Sequence, residues 1–208
     1  MFERFIARQL AHPSGLVGRL FTSRWLDKVN LAMNELTLNQ LSIRPEDKVL
    51  EVGFGGGDLL EKILTSTQCE YVAGVDVSVD MVSVVSRRLR RFIRAGKAEV
   101  RIGDVERLPY RDKEFTKLCG VNTLYFWRHP SVALRECRRV LKRDGRILLC
   151  FNAKEDLARW PPHKHGFRLY DAVEVESLLR QAGFATIEIV SDWKPEQGLF
   201  YCVSGVVA

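Results

Sequence analysis

The chain has 208 residues, 46% of them hydrophobic, which suits one globular domain with a sizeable core. No apolar run approaches the roughly 18 residues of a membrane span, and Glu3, Arg4 and Arg8 interrupt the segment where a signal peptide would be apolar. A net charge of +6 admits a nucleic acid, an anionic membrane surface or an acidic substrate as partner, but a solvated basic face explains it as well.

In chain order, Phe2, Phe5, Ile6 and Leu10 fall at helical spacing and make an apolar stripe, a membrane-surface contact within residues 1–10 if nothing covers it. His12-Pro13-Ser14-Gly15 breaks that helix, and a second is expected from about Leu16 to Leu41. Residues 1–45 thus form an N-terminal helical unit ahead of residues 46–208. Pro45-Glu46-Asp47 turns into a strand that begins near Lys48 and ends in Glu51-Val52-Gly53-Phe54-Gly55-Gly56-Gly57-Asp58. A buried strand, a glycine turn and a helix start in that order make a site for a nucleotide-like ligand, because glycine lets a ligand approach and the helix N–H groups point into the crevice. A dinucleotide fingerprint would need glycine where Asp58 stands, and no Gly-Lys-Ser/Thr triplet supplies a P-loop.

The pattern then alternates. A helix is expected at 59–65, a strand at 70–77, a long helix at 79–95 closed by Gly96, and strands at 98–102 and 115–121. A helix at 130–142 leads to a strand at 146–151, followed by a polar-aromatic insertion at 152–170. A helix at 171–182 and two strands at 186–193 and 199–207 close the chain, the short link between the last two demanding an antiparallel pair. The expected fold is α/β: a doubly wound, mostly parallel sheet of seven strands with helices on both faces and an N-terminal helical cap. Cys69, Cys119, Cys137, Cys150 and Cys202 are odd in number, form no C-x-x-C pair, and read as reduced, buried thiols of a cytoplasmic protein.

Ligands of such sheets bind at the carboxyl ends of the strands. Asp76 ends the second strand, where a carboxylate can accept from both ribose hydroxyls; Ser78 makes the better cap for the next helix. Asp104 ends the third strand, and a plain turn aspartate is the competing reading. Glu51-x-Gly53-x-Gly55-x-Gly57, Asp76, Asp104 and Arg139-Val140-Leu141-Lys142 before a glycine turn occur in the order in which they resemble the Rossmann-like S-adenosylmethionine (SAM)-dependent methyltransferases. The resemblance spans about residues 45–150 and is nearest in type to the ubiquinone and menaquinone methyltransferases. Thr116, where that family usually has Asp, and Arg143-Asp144-Gly145, in place of Pro-Gly-Gly, depart from it.

The resemblance implies that SAM is the cofactor and S-adenosylhomocysteine its product. Glu51, Gly53, Gly55, Gly57, Asp76, Val77, Asp104, Val105 and Asn122 would contact it, Asp104 and the Val105 N–H at the adenine. It also implies that the N-terminal helices lie over the cleft as a lid. A small-molecule acceptor, lipid-like or aromatic, is expected, with Tyr125, Trp127 and His163 or His165 around it. A histidine suits proton removal near neutral pH. No metal is expected, since His163-x-His165 lacks a third ligand at a recognisable spacing. A nucleic-acid amino-methyltransferase would place two prolines after the fourth strand, where Asn122-Thr123-Leu124-Tyr125 has none. An RNA-modifying methyltransferase of another chemistry, a non-catalytic SAM- or RNA-binding module built on the arginines at 87–94 and 138–146, and a dinucleotide reductase stand as alternatives. The sequence leaves the oligomeric state open.

Overall fold

The structure, a computed structural model, describes residues 2–11 and 29–208. The expected break at 12–15 and the start of the second helix at Leu16 lie outside those residues. Helix α1 spans Phe2–Ala11 and α2 spans Leu31–Leu41. Strand β1 (Lys48–Val52), helix α3 (Asp58–Ser66) and strand β2 (Tyr71–Asp76) form the first parallel unit. Helices α4 (Val79–Arg88) and α5 (Arg90–Arg94) follow, then strands β3 (Ala98–Ile102) and β4 (Phe115–Val121). A 3-10 turn at Leu124–Phe126 precedes α6 (Pro130–Val140) and strand β5 (Leu141–Asn152). Helix α7 (Lys154–Leu157), a 3-10 turn at Pro161–Lys164, α8 (Ala172–Gln181) and strands β6 (Phe184–Lys194) and β7 (Gly198–Val207) complete the chain.

The sheet runs β3-β2-β1-β4-β5-β7-β6, parallel from β3 through β5, with β7 antiparallel to both β5 and β6. Strand side chains alternate between two cores. Leu50, Val52, Leu118, Ile147 and Leu149 pack with Leu134 and Cys137 of α6 and Val175 and Leu179 of α8. Val49, Val72, Cys119, Val121, Leu148 and Cys202 pack with Met33 and Leu41 of α2, Leu59, Leu60 and Ile63 of α3, and Met81 and Val85 of α4. All five cysteines are free and buried. Among the described residues, no helix is long and apolar enough to cross a membrane.

Several local expectations change. The helix expected at 79–95 divides at Leu89, whose ψ of 10° turns the chain while its buried side chain stays in the core. Strand β5 starts at Leu141 rather than Arg146: Phe115 pairs with Leu141 and Lys117 with Arg146, and the residues between bulge out with Asp144 at φ 61°. The bulge needs Gly145, because a Cβ there would lie 2.7 Å from the Lys142 carbonyl oxygen. Thr116 donates to the Asp47 carboxylate at 2.6 Å and accepts from the Lys48 N–H at 3.0 Å. A carboxylate at 116 would face Asp47 instead, a like-charge contact that the hydroxyl avoids. The stripe of α1 is only partly turned inward: Ile6 and Leu10 are half-buried and Phe5 is 47% exposed, while Ala7 and Gln9, outside the stripe, are buried.

Candidate functional site

A cavity of about 660 Å³ opens at the carboxyl ends of the parallel strands. On its β1–β3 side the chain turns sharply. Gly53 takes φ +71° and donates to the Val75 carbonyl at 2.8 Å; a Cβ there would stand 2.3 Å from Thr123 Oγ1. Gly57, at φ +79°, starts α3, and a Cβ would lie 2.7 Å from Val85 Cγ1. Gly53 and Gly57 are therefore required by close packing of the turn on Thr123 and on α4. Gly55 donates to Asp76 Oδ2 at 3.1 Å, and the Ser78 N–H donates to Asp76 Oδ1 at 2.9 Å. These two amides orient the carboxylate of Asp76, a cavity-lining residue. Ser78 caps α4 by accepting from the Met81 N–H.

Asp104 also lines the cavity; its Oδ1 accepts from the Glu106 N–H at 2.9 Å, so it makes the turn that was its competing reading. Glu106 accepts from the His129 N–H at 2.6 Å, and its other oxygen lies 2.9 Å from His129 Nδ1. Burial pulls the Glu106 carboxyl upward, but the bonds to His129 outweigh it and hold the group below the usual carboxylate range. Arg139, from Arg139-Val140-Leu141-Lys142, donates to the Leu108 and Tyr110 carbonyls and pairs with Glu136 and Asp112. It thereby ties the loop after β3 to α6. Arg88, read from the sequence as part of a basic face, donates to the Gly56 carbonyl at 2.9 Å and to Glu61 at 2.7 Å. It braces the glycine turn.

The β4–β7 side is made by side chains. Asn122 sits at φ 52° in the left-handed region, a conformation that costs energy for a residue with a Cβ and is tolerated best by Asn and Asp. Its Nδ2 donates to Asn30 Oδ1 at 2.9 Å and contacts Met33 Sδ at 3.3 Å, while its Oδ1 accepts from the Tyr125 hydroxyl at 2.8 Å. Tyr125 also accepts from the Asn152 N–H at 2.5 Å. Burial pushes its phenol well above the ordinary tyrosine value, so this hydroxyl stays protonated. Asn152 Nδ2 donates to the Gln197 carbonyl at 2.7 Å, and Gln197 Nε2 donates to the Val29 carbonyl at 2.7 Å. Phe126 and Phe167 meet edge-on with ring centroids 4.7 Å apart, and Trp160 stands 5.9 Å from Phe167. These rings and Tyr125 line one wall of the cavity.

Of the residues read from the sequence, Glu51, Gly53, Gly55, Asp76, Val77, Asp104, Val105, Asn122, Tyr125 and Trp127 meet around this one cavity. Gly57 stands behind the turn. His163 and His165, expected at the acceptor, lie outside the lining. His163 Nδ1 is 2.7 Å from the Trp160 carbonyl oxygen, and His165 Nε2 is 3.8 Å from Glu3 on α1. The insertion instead turns Leu157, Trp160 and Phe167 inward, because apolar rings gain by burial and the histidines do not. Asn152, Asp156, Glu196 and Gln197 were missed by sequence reasoning, as was the Glu106–His129 pair. The signal for Glu196 and Gln197 was topological: β7 runs antiparallel to β5, so the β6–β7 link must return to the cavity end of the sheet. Among the described residues no cluster of three His, Cys, Asp or Glu side chains could hold a metal ion.

Residues 50–149 match a family model described as a methyltransferase domain. An uncharacterized methyltransferase of Bacillus subtilis, YdaC, is 29% identical over 172 residues, 80% of this chain and 88% of that one. A demethylmenaquinone methyltransferase of Thermotoga maritima is 31% identical over 109 residues, 52% of this chain and 44% of its own length. Among solved structures, the methyltransferase in complex with the Trm112 methyltransferase activator of Haloferax volcanii superposes with a TM-score of 0.78 at 17% identity. The superposition covers 89% of this chain and 93% of that one.

Proposed function

We propose, from the premise that this chain is a member of the SAM-dependent methyltransferases with its methyltransferase domain at residues 50–149, that it transfers a methyl group from SAM to a small organic acceptor. The observation that carries this reading is the continuity of the cavity, which runs from Asp76 and Asp104 to the rings of Tyr125, Phe126, Trp160 and Phe167. Its volume is of the size that holds a cofactor-sized ligand with a small partner beside it. The donor set fits SAM: Asp76 suits the ribose hydroxyls, and the turn at Asp104 and Val105 suits the adenine edge. The glycine turn admits the amino-acid end of the ligand beside Glu51. SAM brings a methyl group already activated on a sulfonium, so the protein's part is to align the acceptor and exclude water. Tyr125 and Asn122 hold the end of β4 in place for that alignment, and the aromatic wall excludes water. In this reading the end of α1 and the residues leading into α2 cover the cleft, with Leu10, Ala11, Val29 and Asn30 at its edge.

The test is transfer of labelled methyl from SAM to components of a metabolite extract, with and without the protein. The reading requires a labelled small molecule that depends on the protein; labelling confined to RNA would contradict it. An RNA acceptor draws on the +6 charge. Against it, seven of the cavity-lining side chains are carboxylates, which repel a phosphate backbone. RNA binding in a gel-shift titration is expected to disappear at physiological salt.

A further inference from the structure

The acceptor side of the cavity shows its ligand mostly groups that accept hydrogen bonds, and the inference drawn from that rests on the methyl-transfer reading above. Gln197 is the central residue. Its Nε2 donates to the Val29 carbonyl at 2.7 Å, which fixes the orientation of the amide and leaves Oε1 as an acceptor. That buried Oε1 has no hydrogen-bond partner among the described residues, and Gln197 lines the cavity. A buried amide oxygen left without a donor costs free energy, and a ligand N–H or O–H that reaches it on binding would offset that cost.

The nearby donors are already committed. Asn122 Nδ2 serves Asn30 and Met33, Asn152 Nδ2 serves the Gln197 carbonyl, and the Tyr125 hydroxyl serves Asn122. The charged cavity-lining groups near Gln197 in the chain and just after the end of β5 are the carboxylates of Glu196 and Asp156. Glu196 lies next to it on the same turn, and Asp156 lines the cavity while accepting from the Leu199 N–H at 2.7 Å and pairing with exposed Arg159 at 3.1 Å. Arg128, the one arginine among the described lining residues, acts on Glu106 at the opposite, cofactor end. The rings of Phe126, Trp160 and Phe167 line the same cavity, and aromatic faces attract a cation.

We propose that the methyl acceptor is a small amine with an apolar body, held by Gln197 Oε1 and the carboxylates of Glu196 and Asp156 against the aromatic wall, and methylated on nitrogen. An orphan acceptor, flanking carboxylates and π-faces all favour an ammonium or amine, and disfavour a carboxylate or a phosphate. An alkylamine resembles a lysine side chain, with an unperturbed pKa near 10.4. The ammonium first releases a proton to solvent at the exposed Glu196 edge. The nitrogen lone pair then forms the N–CH3 bond while the sulfur–CH3 bond breaks, its electron pair remaining on sulfur as the neutral thioether of S-adenosylhomocysteine. The methylated nitrogen carries the positive charge that the sulfonium loses.

The experiment uses the full chain saturated with S-adenosylhomocysteine and three matched ligand sets: benzylamine, phenethylamine and hexylamine, with the corresponding alcohols and carboxylates. Calorimetry and tryptophan fluorescence report binding independently of turnover. At least one amine is expected to bind about tenfold or more tightly than its alcohol, one hydrogen-bonded or charged contact being worth that much, with the carboxylate weakest. Glu196→Gln should weaken amine binding several-fold and leave alcohol affinity unchanged, Gln197→Leu should weaken amine and alcohol binding alike, and neither should change S-adenosylhomocysteine affinity. Labelled methyl from SAM should appear on the amine nitrogen at a rate that rises with pH. The proposal is overturned if no amine binds while S-adenosylhomocysteine does. It is also overturned if alcohols or carboxylates bind as tightly as amines, or if both variants keep full amine affinity. Failure of S-adenosylhomocysteine itself to bind would instead sink the underlying methyl-transfer reading.

Discussion

On the β1–β3 side of the cavity the ligand-facing groups are held by nearby main chain. Asp76 is fixed by the N–H groups of Gly55 and Ser78, and Asp104 by that of Glu106, two residues on. On the β4–β7 side the groups are held by side chains that reach across the sequence. Asn122 bonds to Asn30, 92 positions away, and Gln197 to Val29, 168 positions away. The first half is a property of strand ends and turns and forms wherever the sheet forms. The second depends on several long-range partners being in place together, so a change at one of them spreads to the others.

The sharpest break in the comparison is Asp76→Ala. Losing a charge-assisted partner costs about 1.5–3 kcal/mol, so S-adenosylhomocysteine affinity should fall roughly 10- to 150-fold in calorimetry. Amine binding on the other side should be unaffected. Tyr125→Phe probes the opposite half: it removes the donor to Asn122 and the acceptor for the Asn152 N–H. A loss of about 1–3 kcal/mol in urea denaturation is expected, with reduced turnover and cofactor affinity within about threefold of wild type. The same residue gives a pH signature. Because burial raises its folded pKa above the unfolded value near 10, the unfolded chain ionises first, and stability is lost as pH rises beyond about 10. The slope of stability against pH from 9 to 11 should be shallower in Tyr125→Phe; an unchanged slope would count against its burial. The smallest effect belongs to the double variant His163→Ala/His165→Ala. Neither ring lines the cavity, so turnover should stay within about twofold of wild type, against the 100-fold or greater loss expected for a general base.

The two halves also differed in legibility. Glu51, Gly53, Gly55, Asp76 and Asp104 could be placed from sequence because each follows an apolar strand by a fixed short offset, and such offsets determine where a backbone points. The sheet was legible for the same reason, in its order of apolar runs and breakers. The insertion at 152–170 was not. Its position at the cavity end followed from topology, but which face of a short 3-10 turn looks inward is set by the partners it meets, and Phe167 and Trp160 took the place assigned to His163 and His165. Leu89 shows the same limit in a helix: its apolar period continues past the point where the backbone turns.

The central claim is that the strand-end half of the cavity binds SAM and not a dinucleotide. Calorimetric titration of the full chain with S-adenosylhomocysteine, and separately with NADH, tests it directly. One equivalent of S-adenosylhomocysteine should bind, with no heat from NADH; binding of NADH, or no binding of S-adenosylhomocysteine, would contradict the account.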